Sequence, residues 1–126
     1  MDLEKIKLRL KSLGYEVVEG DDFALNFIMS KVEQHIKHFC NITEVPECLE
    51  YVFIDMCCGE FLQSKKSMSQ LNDIQFEQIV KQIQDGDTSV TYATSDISPE
   101  AVFNAYVDKL INGYNEDLIR HRKLVW

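Results

Sequence analysis

Pro46-Glu47-Cys48-Leu49-Glu50-Tyr51-Val52-Phe53-Ile54-Asp55-Met56-Cys57-Cys58-Gly59-Glu60-Phe61-Leu62 is the stretch on which the reading of this 126-residue chain turns. Pro46 suits the first turn of a helix, where a missing N–H costs nothing. Leu49, Val52, Phe53, Met56 and Phe61 then recur at helical spacing, with Ile54 and Cys57 widening the apolar surface. Such breadth predicts a central helix buried on most sides. Gly59 inside it costs up to about 1 kcal/mol relative to alanine, so it implies either close packing there or an early helix end. Glu50, Asp55 and Glu60 interrupt a window already shorter than the roughly 20 apolar residues of a membrane span.

On the N-terminal side, Leu3, Ile6, Leu10 and Leu13 form one helical stripe, and Gly14 supplies a left-handed stop. Asp21 or Asp22 is placed to cap a second helix, in which Phe23, Phe27, Val32, Ile36 and Phe39 are the expected buried face and Asn41 the stop. Beyond the central helix, the polar run from Ser64 to Asn72 reads as a loop. Phe76, Ile79, Val80 and Ile83 fit a helix that runs into the turn signal Asp85-Gly86-Asp87. Thr88 to Thr94 is rich in β-branched residues, with Val90 and Tyr92 alternating with polar neighbours, which predicts a short strand or hairpin arm. Ser98-Pro99-Glu100 starts a last helix, with Val102, Phe103, Tyr106, Leu110 and Ile111 as its stripe and Gly113 as its end.

The expected fold is therefore mainly α: a small bundle of four to five helices, one short β-strand or hairpin segment, and an extended C-terminal tail. Residues 1–117 read as a single helical domain and 118–126 as a docking tail.

Thirteen basic against 21 acidic residues give a net charge of -8, which disfavours nonspecific attraction to nucleic acid or an anionic membrane. The charge is uneven. Residues 1–66 carry 8 basic and 12 acidic groups, residues 67–119 carry 2 and 9, and residues 120–126 carry 3 and none. No secretory signal is visible in Met1 to Leu10, so the chain is expected to stay in the cytoplasm where it is made. Four cysteines in such a chain read as reduced thiols, mostly core.

Candidate chemistry is thin. His35, His38, Cys40 and Cys48 are zinc-ligand types, but they lack paired Cys-x-x-Cys spacing, so no metal or other cofactor is expected. Cys57 and Cys58 sit in an apolar helix, where a thiol is inert. Asp21-Asp22, Asp85/Asp87 and Glu116-Asp117 are explained by turns and caps. No catalytic residue is assigned, and an enzyme is not expected. The basic end stands out, because Arg120, Arg122 and Trp126 are interface hot-spot types. In an extended segment Leu124 and Trp126 share a side with Arg120 and Arg122.

Taken together, the Leu13-Gly14 helix end, Asp21-Asp22-Phe23-Ala24-Leu25, Phe39-Cys40-Asn41, Val45-Pro46-Glu47, Gly86-Asp87-Thr88-Ser89-Val90 and the terminal Arg120-x-Arg122-Lys123-Leu124-x-Trp126 resemble the head-tail connector (head-completion adaptor) family of tailed bacteriophages and prophages. The resemblance covers most of the chain through the order of these short signals. It implies a virion neck protein that forms a ring, expected to be dodecameric, beneath the portal protein. That ring would extend the DNA channel and join the capsid to a stopper or other tail-side neck protein. It further implies that Arg120, Arg122, Lys123, Leu124 and Trp126 engage the portal, and that Gly86, Asp87, Thr88, Val90 and Tyr92 lie at a subunit or stopper contact. Cys57-Cys58, and His121 where an aromatic residue is expected, depart from the pattern. An acidic body suits a channel through which DNA slides without specific binding. The alternative is a small cytoplasmic helical regulator that binds a protein partner.

Overall fold

The computed structural model of the chain describes residues 3–68, 70–86 and 98–122, and all its regular elements among those residues are helical. They are α1 (Leu3–Ser12), α2 (Asp22–Cys40), α3 (Glu50–Ser67), α4 (Asp73–Gly86), α5 (Pro99–Asn112) and the short α6 (Asn115–Arg120). Single 3-10 turns at Glu19–Asp21 and Glu47–Leu49 lead into α2 and α3. The strand expected over 88–94 lies outside the described residues, as do Asp87, Thr88, Val90, Tyr92, Lys123, Leu124 and Trp126.

The helix ends follow local chemistry. Gly14 adopts φ +90°, a conformation open to glycine at little cost, and the Tyr15 N–H returns to the Leu10 carbonyl at 3.0 Å to close α1. Asn41 is left-handed at φ 56° and ends α2, its N–H donating to the Lys37 carbonyl. The Ser98 hydroxyl accepts from the Ala101 N–H at 3.3 Å, with Pro99 in the first turn of α5, and Gly113 closes that helix on the Lys109 carbonyl. The α2 start differs from expectation. Asp21 makes no side-chain cap there, because its carboxylate is engaged by Tyr15, Val18 and Lys65.

Helix α3 is the hub, packed against α1, α2 and α5, while α4 packs on α5 and α6 on α2. Leu49, Val52, Phe53, Met56, Cys57, Cys58, Phe61 and Leu62 are all buried, which is why the central stretch looks apolar all round rather than striped. Gly59 marks close packing, not a helix end. A Cβ there would lie 2.8 Å from Ile111 Cγ1 and 2.9 Å from Leu110 Cβ, so its missing side chain sets the approach of α5. Edge-to-face packing of Tyr15 on Phe61 (centroids 5.4 Å apart) joins the α1–α2 connection to α3, and a tilted contact of Phe76 with Phe103 (5.2 Å) joins α4 to α5.

Three expectations are corrected. The buried face of α2 is Leu25, Ile28, Val32, Ile36 and Cys40, whereas Phe23 and Phe27 are 82% and 65% exposed. The apolar residues of this helix form two overlapping stripes, and the core takes the aliphatic one. The run from Ser64 is helical as far as Ser67, because Lys65 and Lys66 lay their ammonium groups over the Phe61 and Phe76 rings and pair with Asp21 and Glu100. Finally, residues 118–120 of the expected extended tail are the last turn of α6. Leu118 is a core residue at 1% exposure, so the boundary expected after residue 117 falls inside a helix.

Candidate functional site

Residues 118–122, the described part of the C-terminal segment, lie against the end of α2 and the turn before α3. Leu118 anchors it: its side chain enters the core, and its carbonyl accepts the Cys40 thiol at 3.2 Å. One residue on, the helix periodicity turns outward, so Ile119 is exposed and Arg120 projects with only a long 3.9 Å approach to Asp117. His121 caps α6 by donating from Nδ1 to the Asp117 carbonyl at 2.8 Å, and its Nε2 lies 3.1 Å from Cys48 Sγ. Arg122 places its guanidinium 5.8 Å above the Phe39 ring. Tyr51 donates to Asp117 Oδ1 at 3.2 Å and stacks edge-on against Tyr114.

Of the residues expected to contact a partner through this end, Arg120 and Arg122 are both exposed, Arg120 beside Asp117 on the last turn of α6 and Arg122 just beyond that helix, over Phe39. Gly86 is the last residue of α4. The other members of both groups fall outside the described residues. His35 and His38 are exposed on α2. No group of three or more His, Cys, Asp or Glu side chains among the described residues is placed to hold a metal ion. Cys57 and Cys58 are fully buried, and burial raises both thiols, Cys58 to about 12, which leaves them protonated and unreactive.

A second surface was not anticipated. Leu8, Tyr51 and Ile54 line an open, mostly apolar groove of about 560 Å³ between α1 and α3, whose polar members are Lys5, Arg9 and Asp55. Asp55 organises its floor. Arg9 Nε donates to Asp55 Oδ1 at 2.9 Å, the Tyr114 hydroxyl donates to Oδ2, and Arg9 also reaches the Tyr106 hydroxyl at 3.3 Å. Burial pushes the Tyr114 hydroxyl up, and its bond to Asp55 adds to the shift, so Tyr114 stays a donor throughout the physiological range. Arg9 and Tyr114 lie 46 and 59 residues from Asp55 in sequence, which is why one carboxylate within an apolar stretch gave no signal. Tyr114→Phe is expected to lower unfolding stability by about 1 kcal/mol in chemical denaturation without altering helix content.

Leu8, Val18, Phe23 and Phe27 are also exposed, on α1, on the connection and at the start of α2, where Lys7 pairs with Asp22 at 3.0 Å. No helix of the described residues is long and apolar enough to cross a membrane.

Comparison with protein-family models, with curated proteins and with solved structures returns no match to this chain.

Proposed function

We propose that this chain is a structural adaptor of a tailed-phage neck, a ring-forming head-tail connector that seats under the portal and joins it to a stopper or tail-side protein. The reading places the chain in the virion neck, with assembly in the host cytoplasm, and assigns it no catalytic step. The observation that carries it is the exposure of Arg120, on a helix anchored by Leu118, and of Arg122 just beyond it, in a basic segment of a chain with an excess of acidic residues. This agrees with the ordered short motifs that resemble the connector family. A closed ring of identical subunits needs two different surfaces on each. The open apolar side chains of α1 and α2, Leu8, Phe23 and Phe27, supply candidates for one. The excess of carboxylates supports a conduit over a DNA-binding protein.

Light scattering of the purified chain, alone and mixed with the portal encoded beside it, tests the reading. A small species that joins a large ring complex only in the mixture is the expected result. A chain that never joins the portal overturns it and favours the regulator. The segment's role is tested separately. Truncation at residue 118 would remove a core leucine, so the informative variants are deletion of residues 123–126 and Arg120→Glu with Arg122→Glu. Each is expected to weaken portal capture about tenfold or more while leaving the helical circular dichroism unchanged.

A further inference from the structure

Cys48 and His121 are 73 residues apart in sequence and meet at the surface, with Sγ 3.1 Å from Nε2. The other ring nitrogen donates to the Asp117 carbonyl at 2.8 Å, which fixes the tautomer: Nδ1 carries the hydrogen, and Nε2 is left as an acceptor facing the thiol. A nucleophile, a base within reach and a third group orienting the base is the geometry that activates a thiol. The four cysteines are unbridged, and among them Cys48 alone is exposed, Cys40, Cys57 and Cys58 being fully buried.

We propose that Cys48 is a modification site, a thiol that exchanges with small disulfides with His121 as its proton acceptor. The inference does not rest on the connector reading. In the exchange the Cys48 thiol gives its proton to His121 Nε2, and the sulfur attacks one sulfur of a disulfide R–S–S–R. A Cys48–S–S–R bond forms as the original S–S bond breaks, and the leaving sulfur takes the proton back from His121 as R–SH. The disulfide is the oxidant and is reduced to one thiol, while Cys48 is oxidised to the mixed disulfide. A small disulfide can reach the site because Cys48 is exposed on the 3-10 turn Glu47–Leu49, ahead of α3, and His121, the residue that closes α6, is partly exposed beside it. Charged and titratable neighbours are Asp117, bonded by Tyr51 and approached by Arg120, with Glu47 and Glu50 on the Cys48 side. Modification separates Sγ from Nε2 and so removes the side-chain contact between the turn before α3 and the end of α6.

The test is the rate of modification of the intact chain by glutathione disulfide, followed by peptide mapping. Cys48 is expected to carry the modification. His121→Asn keeps a donor for the Asp117 carbonyl but removes the base. It is expected to slow modification about fivefold or more at about pH 7, with the two rates converging at about pH 9.5, where hydroxide replaces the imidazole as proton acceptor. Exposure alone would make Cys48 the fastest site but would not make the effect of His121 depend on pH. Equal rates at both pH values, an equal change at both, or modification first at another cysteine each overturns the proposal.

Discussion

Replacing Gly59 with leucine should lower stability by about 3 kcal/mol or more and broaden the unfolding transition, and even Gly59→Ala should destabilise. The alanine result is the sharper of the two, because its sign is opposite to the ordinary one. A glycine inside an exposed helix costs about 1 kcal/mol relative to alanine, so the substitution there stabilises. At position 59 the added Cβ would stand 2.8 Å from Ile111 Cγ1, 2.9 Å from Leu110 Cβ and 3.3 Å from the Val107 carbonyl oxygen. Ile111 is partly exposed and its Cγ1 can rotate away, but Leu110 Cβ is fixed to the α5 backbone and the Val107 oxygen belongs to it. Relief requires α5 to move as a body. That helix brings Val102, Phe103, Tyr106, Val107 and Leu110 to the core through its contact with α3, the most extensive in the fold. A leucine needs a larger displacement than an alanine and opens voids around Phe103. Denaturant titration of the two variants decides it: an alanine variant more stable than the parent would mean that the α3–α5 spacing is soft.

Position 59 also shows how far sequence carries this fold. The choice between tight packing and an early helix end was open from the residue alone, since it depends on what faces the glycine from 48 to 52 residues away. Signals that act within one turn were legible: Gly14, Asn41 and the Ser98-Pro99 pair each end or start a helix where expected. The central helix was legible because burial on all sides leaves little room for polar residues. What failed was orientation. Phe23 and Phe27 are larger than Leu25 and Ile28 and share a stripe with Val32, Ile36 and Phe39, but hydrophobicity does not say which of two stripes an adjoining helix will cover. Likewise, Lys65 and Lys66 read as loop residues until their partners Asp21 and Glu100, and the rings beneath them, are in place. At the candidate surface the basic end was visible as charge, whereas its anchoring by Leu118 and the pairing of Cys48 with His121 depend on folding.

Asp21→Ala is the second large loss expected, about 3 kcal/mol near neutral pH. Asp21 is 2% exposed and holds three donors. The Tyr15 hydroxyl reaches Oδ2 at 2.7 Å, the Val18 N–H reaches the same oxygen at 3.1 Å, and Lys65 Nζ lies 2.7 Å from Oδ1. Removing the carboxylate strands a buried phenol and a mostly buried ammonium at once, and leaving such groups unpaired costs more than the pairs themselves contribute. It also unties the α1–α2 connection from α3, because Tyr15 packs edge-on against Phe61 and Lys65 lies over the same ring. Tyr15→Phe, which keeps the ring and two of the three donors, should cost only about 1 kcal/mol. Burial alone would push the Asp21 carboxyl up, but Lys65, Tyr15 and the Val18 amide together outweigh it and hold the group below the ordinary carboxylate range. A carboxyl that titrates lower in the folded chain than in the unfolded one stabilises the fold above its unfolded value of about 3.9, and that contribution fades as pH falls through the folded value. The stability difference between the parent and Asp21→Asn should accordingly be constant from neutrality down to about pH 5 and shrink below about pH 4. A difference that holds steady into strong acid would assign the loss to shape and hydrogen bonding, with the charge on Asp21 contributing nothing.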